Sequence, residues 1–458
     1  MEGKSNAQKT TLKQSQILLY GFCGMFLNTF YLMFLAYNRL FYLTDVLQLS
    51  TGVSALVNSL SVWGNVVTMI LAGGIVDKIN FKKVGKFAGW AVIGGIGMSI
   101  SFPLLFSDLG LSQSAAGALF VVLFVVQSIS YNCLWVAERS LVGPLSGNAA
   151  DANSLAMMAQ QGSTLGGLIY GVVNAPIMAF LGNSYTLTAL LYGLFILGGT
   201  IGMFLLTRKY DLPKEEEEKI EKGTVPKAKG GFLSAMTGPT IPFFFAMILN
   251  NCHLGFFMSL LAYFTSYVLN DPVILSISVT AGSAAGLLGA WLSKIICNNI
   301  GKKKAFIYFS ILTGVLYMLI AFIGRTSIPF LIIRVAIGCF SVVGGMLIPV
   351  FANDIADYKE MKGETDARAV IQSIAGTTIR FGSALSATIA SFSLAAVGYS
   401  ATAEMTPAII NSITYLMAFA PAAVCILSAL CFIFYKIDEK ELDAYRAEKA
   451  AKLHAAQK

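Results

Sequence analysis

The ionisable side chains that stand inside otherwise apolar runs of this sequence are Arg39, Glu138, Arg139, His253, Lys294, Arg334 and Arg380. A charge placed in hydrocarbon costs several kcal/mol, so each is a candidate for binding, coupling or gating. Arg380 lies about twelve residues into its run, near its middle. A guanidinium stays protonated, and its planar fork fits a carboxylate, sulfonate or phosphate in bidentate fashion. Something anionic should meet it: an anionic substrate, which is favoured, Glu138, or a water-filled cavity. A neutral glycoside held through its hydroxyls is the remaining option. Glu138 and Arg139 are neighbours and point about 100° apart on a helix, so they need not pair. They read as gating or packing groups, and Glu138 could also titrate if desolvated. His253 is either a coupling group that titrates near neutral pH or an ordinary core histidine. Lys294 and Arg334 read as snorkelling residues at cytoplasmic helix ends, and Arg39 as a snorkelling or outer-gate residue.

The neutral polar residues in the same runs include Asn58, Asn132, Gln160, Gln161, Asn174, Asn250, Asn251 and Gln372. Sugar sites combine such hydrogen-bonding groups with an aromatic platform. Tyr131 and Trp135, one helical turn apart, could supply the platform. The pairs Gln160-Gln161 and Asn250-Asn251 are the favoured substrate contacts, with plain interhelical hydrogen bonding as the alternative for each. Gly162-x-x-x-Gly166-Gly167 favours close helix packing. Cys23, Cys133, Cys252, Cys297, Cys339, Cys425 and Cys431 are scattered without a CxxC and read as small buried hydrophobes. There is no GxxxxGK[ST] loop. We expect no metal site, no cofactor and no covalent chemistry, hence no enzyme.

The elements that must carry these residues follow from composition. Of 458 residues, 56% are hydrophobic and 12% charged, against about 25% charged in a soluble domain. This is a polytopic all-α membrane protein, since alternating ten-residue strand patterns are missing. Twelve spans are expected, near 16–43, 52–76, 87–107, 114–142, 153–181, 184–207, 240–269, 273–298, 304–324, 327–352, 368–397 and 407–436. The net charge of +8 reflects basic loops rather than nucleic-acid binding. Lysine and arginine gather in the N-tail, the even-numbered loops and the C-tail, with Arg325 as the exception. Both termini are therefore expected in the cytoplasm. No cleaved signal peptide is read at the N-terminus. The charged segment 208–232 divides the chain into six-helix halves, 1–207 and 233–436, with a cytoplasmic tail, 437–458. The halves echo each other: Gly73 to Lys78 precedes Lys82-Lys83, and Gly289 to Lys294 precedes Lys302-Lys303-Lys304. Such duplication suggests two bundles around a midplane cavity, the design of a secondary transporter.

Several stretches sharpen this. Gly73-x-x-x-Asp77-Lys78 resembles the loop motif of the major facilitator superfamily. Tyr42-Leu-Thr-Asp45-Val46, Gly85-Lys86-Phe87-x-x-Trp90, and Asp354-Ile-Ala-Asp357-Tyr358-Lys-Glu360 followed by Arg368, Ser373 and Arg380-Phe-Gly382 resemble the glycoside–pentoside–hexuronide:cation symporters. The resemblance covers nearly the whole chain. It implies a bacterial inner-membrane protein of the major facilitator fold that moves a sugar, glycoside or sugar acid with a cation by alternating access. It makes Asp77, Lys78, Asp357, Tyr358, Glu360 and Arg368 gating residues. Aligned on Trp63 and Gly74-Ile-Val-Asp77, the family's two cation-holding aspartates fall at Gly64 and Thr68. A sugar-site aspartate falls at Asn28, a span-four aspartate at Trp135, and a span-five arginine at Gln160 or Gln161. Tyr131 is kept and Arg380 replaces a lysine. Sodium coupling is therefore not expected, whereas a proton, needing one titrating group, is admitted. The chain is expected to act as a monomer in the bilayer. Uniport or exchange of another cargo, lipid-like or an organic anion, and substrate sensing without transport remain open.

Overall fold

A computed structural model of the chain describes residues 13–79, 81, 84–146, 149–211, 236–363, 368–402, 404–442, 444–446 and 448. The side chains of Asp77, Lys294 and Arg368 lie outside the described residues, as do Lys82, Lys83, most of the expected linker and the end of the tail. Among the described residues, twelve helices are long and apolar enough to cross a membrane, and there is no strand. They are α1 Gln14–Val46, α2 Thr51–Lys78, α3 Lys86–Leu105, α4 Gln113–Ser140, α5 Ala149–Phe180, α6 Tyr185–Thr207, α7 Thr240–Val268, α8 Val273–Ile300, α9 Lys302–Ile323, α10 Ser327–Met361, α11 Arg368–Ala396 and α12 Pro407–Ile433. Hydrocarbon offers the backbone no partner, so each span must satisfy its own N–H and C=O groups. Helices achieve this locally, and large apolar side chains such as Phe180, Phe322 and Ile328 stay exposed on their outer faces. The expected spans match these helices except α10. It continues past the apolar run through Asp354 and Asp357 to Met361, because Ile355 and Ala356 keep a buried stripe going.

The chain forms two compact units, Met1–Gly223 and Thr224–Lys458. Within the first, α1 packs on α5 and α6, α4 on α2 and α3, and α3 on α6. Within the second, α7 packs on α11 and α12, α10 on α8 and α9, and α9 on α12. The two pairing schemes are the same, shifted by six helices.

The repeat extends to the helix ends. Single π-turns, Tyr42–Val46 and Phe264–Val268, close α1 and α7. Leu47 N–H donates to Tyr42 O at 2.9 Å and Leu269 N–H to Phe264 O at 3.0 Å. Gln48 and Asn270 then turn the chain with φ of 49° and 53°, a left-handed conformation that Asn tolerates better than most residues. The third helix of each unit starts after a glycine of positive φ, Gly85 at 94° and Gly301 at 83°. Each start is capped by a carboxylate from beyond the sixth helix. Asp211 accepts from Ala88 N–H at 2.7 Å, and Glu439 accepts from Lys303 N–H at 3.2 Å. The first N–H groups of a helix lack intrahelical partners and carry partial positive charge, so an acid belongs there. Burial pushes the Asp211 carboxyl up from its ordinary range. The N–H groups of Ala88 and Phe87 and the charge of Lys86 pull the other way.

Close approach of α5 to α1 rests on Gly162 and Gly166. A Cβ at Gly162 would collide with the Gly21 carbonyl, and one at Gly166 would lie 2.7 Å from Phe26 O. These contacts bracket a second π-turn in α1, Phe22–Phe26. Gly166→Ala should therefore cost about 1–3 kcal/mol by overpacking against backbone. Gly74→Ala, where nothing lies within 4 Å, should stay within about 0.5 kcal/mol of the parent. Thermal unfolding of the purified proteins in detergent checks this, and equal midpoints would show that the α1–α5 contact is not tight.

Candidate functional site

In the first unit, α1 and α4 bring together Asn28, Tyr131, Trp135, Glu138 and Arg139. Glu138 is 4% exposed. Asn28 Nδ2 donates to Glu138 Oε1 at 3.1 Å, and Tyr20 Oη donates to the Glu138 carbonyl at 2.7 Å. No lysine or arginine among the described residues forms an ion pair with the carboxylate. Arg139 instead lies over the Trp135 ring at 4.5 Å, so one face of the expected sugar platform carries a guanidinium. Tyr131 stands 6.1 Å from Trp135 and 5.6 Å from Tyr31, centroid to centroid. Gln160 and Gln161 are exposed on α5.

The positions aligned with the family's cation acids hold a neutral cluster. Asn132 Nδ2 donates to Thr68 Oγ1 at 3.1 Å and to Asn65 Oδ1 at 3.0 Å. Asn132 Oδ1 is buried without a hydrogen-bond partner. The cluster brings neutral oxygens together but contributes no negative charge to hold a metal cation. Asn174 accepts from Tyr192 Oη at 2.9 Å, an interhelical hydrogen bond of the ordinary kind. Arg39 does not snorkel. Its Nε donates to Asn58 Oδ1 at 2.7 Å and its guanidinium lies 5.3 Å from the Phe124 ring centroid, which ties α1 to α2 and α4.

In the second unit, Asn250 and His253 are buried on α7. His253 Nδ1 lies 3.2 Å from Tyr317 Oη. Asn251 donates to Met247 O of its own helix at 2.7 Å. Arg380 is half-buried on α11. Arg334 corrects the sequence reading. It stands two turns from the start of α10, the end opposite Asp354 and Lys302, and it is 7% exposed rather than snorkelling. Its guanidinium lies over Phe257 at 4.7 Å. The expectation of uniformly buried cysteines holds for Cys23, Cys133, Cys252 and Cys425, whereas Cys297, Cys339 and Cys431 are half-buried.

The acidic end of α10 forms an ionic cluster inside its own unit. Lys302 Nζ meets Asp354 at 2.6 Å, and Arg446 Nη2 meets Asp354 at 2.9 Å and Asp357 at 2.6 Å. Tyr358 carries Lys362 over its ring at 5.5 Å, and Glu360 is half-buried. Lys78 is exposed at the end of α2. Sequence reasoning placed gating on Asp357, Tyr358, Glu360 and Arg368 but missed Arg446. It is one of several basic residues in the tail, and only the contact singles it out.

Twelve spanning helices in two like-paired units, with a few buried ionisable groups and a charged helix end, define an integral membrane transporter of the major facilitator type. The chain belongs to the MFS/sugar transport protein family, which it matches over residues 16–439, and within it resembles the glycoside–pentoside–hexuronide transporters. It is 25% identical over 417 residues to an Escherichia coli (strain K12) protein named for export of 2,3-dihydroxypropane-1-sulfonate, covering 87% of each chain. It is 24% identical over 384 residues to one from the same organism named for import of sulfoquinovose, covering 81% of this chain and 80% of the relative. The crystal structure of a mutant peptide transporter, POT, shares the fold with a TM-score of 0.67 and 13% identity, over 92% of this chain and 93% of that one.

Asp354→Asn leaves Lys302 and Arg446 facing a neutral amide. We expect a loss of about 1 kcal/mol, since the arginine is partly solvated. A lower unfolding midpoint at low salt, converging with the parent in 1 M salt, checks it.

Proposed function

We propose that this transporter moves a small polyhydroxylated organic anion, a sugar acid or sulfonated sugar, by alternating access, in symport with a proton. The observation that carries the reading is the charge inventory of the spans. The spans of the second unit hold Lys294, Arg334 and Arg380, and the first acid along them is Asp354, which is already paired. A half-buried guanidinium on α11 is suited to grip a carboxylate or sulfonate in bidentate fashion. The two relatives named for sulfonates support this cargo class. Asn28, Tyr131, Trp135, Gln160, Gln161 and Asn251 supply the hydroxyl contacts in this reading, whereas Asn250 lines a separate pocket.

Coupling falls to Glu138. It is a buried carboxyl held by one amide, with no ion pair to a lysine or arginine among the described residues. A proton is the smallest cation that can meet it. The neutral Asn65–Thr68–Asn132 cluster argues against sodium. The protein would then work in a bacterial inner membrane with both termini in the cytoplasm.

Uptake of labelled hexuronate and sulfoquinovose into proteoliposomes tests both parts. Arg380→Gln should lower anion uptake at least tenfold, a loss of about 1.4 kcal/mol or more in cargo binding. Glu138→Gln should abolish stimulation by an inward proton gradient but retain counterflow, because exchange needs no net proton movement. Unaltered anion uptake by Arg380→Gln would overturn the anion site. Acid stimulation surviving in Glu138→Gln would overturn the coupling assignment.

A further inference from the structure

Inside the second unit, α7, α9, α10 and α12 line a small, partly open pocket of about 10 Å³. Its polar lining is Asn250, His253, Ser310, Thr313 and Ser341. Asn250 and Ser310 are each 7% exposed, and Thr313 is 1% exposed. Thr313 Oγ1 is buried with no hydrogen-bond partner. Asn250, Ser310 and Ser341 likewise make no side-chain hydrogen bond to another described residue. The Asn250 amide packs against Gly344, where a Cβ would displace it. A buried hydroxyl left unmet costs about 1–3 kcal/mol, so Thr313, with Asn250, Ser310 and Ser341 converging on the same pocket, points to an occupant. At about 10 Å³ the pocket takes one small sphere and lies far below the roughly 300–1,000 Å³ of organic-ligand sites, which limits the occupant to a small ion or water.

The surrounding charge decides the sign. Arg334 lies over Phe257, the Phe257 ring is 6.0 Å from Tyr317, and Tyr317 contacts His253 at the cavity wall. Arg334 Nε is itself buried without a hydrogen-bond partner. No aspartate or glutamate occurs between Asp271 and Asp354, nor within α7, α11 or α12. Asp354 is ten residues beyond Gly344, about 15 Å along the helix, and is paired with Lys302 and Arg446. The fixed charge nearest the cavity is therefore positive. The lining offers donors: the Asn250 amide N–H groups, three hydroxyls and an imidazole N–H.

We propose that this cavity binds a small inorganic anion of the size and charge of chloride, within the second unit and separate from the cargo. The test is thermal unfolding of the full-length protein in nanodiscs, with chloride titrated against gluconate at constant sodium and ionic strength. A choline chloride series runs alongside, and no cargo is present. We expect a saturable rise of a few degrees that follows chloride with either cation. The Ser310→Ala/Thr313→Val double substitution should raise the half-saturating chloride at least tenfold. Asn250→Asp should remove the response by placing a fixed negative charge in the cavity. Identical midpoints in chloride and gluconate would overturn the proposal. So would a shift that follows sodium rather than chloride, which would mark a cation site. A double variant that responds to chloride like the parent would move the effect elsewhere and also overturn it. If that variant does not fold, the comparison of chloride with gluconate on the parent protein still decides.

Discussion

The cost of holding a charge in hydrocarbon shapes this molecule more than any single contact. Acids are kept to helix ends, where Asp354 and Asp357 meet Lys302 and Arg446 and where Asp211 and Glu439 meet unsatisfied N–H groups. The arginines within the spans solve the problem differently. Arg39, Arg139 and Arg334 each lie over an aromatic ring, at 4.5–5.3 Å from Phe124, Trp135 or Phe257. Cation–π contact gives part of the stabilisation of an ion pair without burying a second charge. Among the described residues Glu138 makes no ion pair, and its one side-chain hydrogen bond comes from Asn28. The charge of the neighbouring Arg139 acts on it from over the Trp135 ring.

The second constraint is that each six-helix unit must hold itself together. Both units use the same helix pairings, the same π-turn at the end of the first helix and the same acid-capped start of the third. None of these devices involves the ionisable groups within the spans. The scaffold and the chemistry therefore occupy different residues, so the polar residues in the spans can change without loss of the fold. That separation accounts for a chain that keeps the family's architecture while holding Gly64 and Thr68 where the resemblance places cation-binding acids.

The spans were legible in the sequence because the bilayer imposes one strong, local signal: twenty or so apolar residues bounded by polar ones. The end of α10 was not, because a helix can outlast its hydropathy when a narrower stripe, here Ile355 and Ala356, remains buried. The π-turns were not legible either, since a one-residue bulge leaves no compositional mark. Of the site, residue types could be read but not partners. Asn250 and Asn251 looked equivalent, yet Asn251 bonds to its own helix while Asn250 lines a cavity. Arg334 was assigned to the wrong end of its helix. The direction of each span alternates along the chain, and α10 begins where the sparsely charged loop ends. Arg446 was hidden among the lysines of the tail, because a partner ninety residues away cannot be inferred from charge alone.

What distinguishes the two units is the acid that the first holds beside its arginines. On one repeated scaffold, the first unit carries a buried acid in the last turn of α4, and the second carries guanidiniums with no acid in its spans before the paired Asp354 and Asp357 at the end of α10. A duplicated fold with equal contents would bind like ligands in like places. Here the field of the second unit favours anions, whereas the first presents a carboxyl that a proton can neutralise. In the proposed cycle an anion near one set of groups and a proton at the other would each reduce the buried charge. A monovalent anion moving with one proton would then move no net charge, and that cycle would need no metal cation.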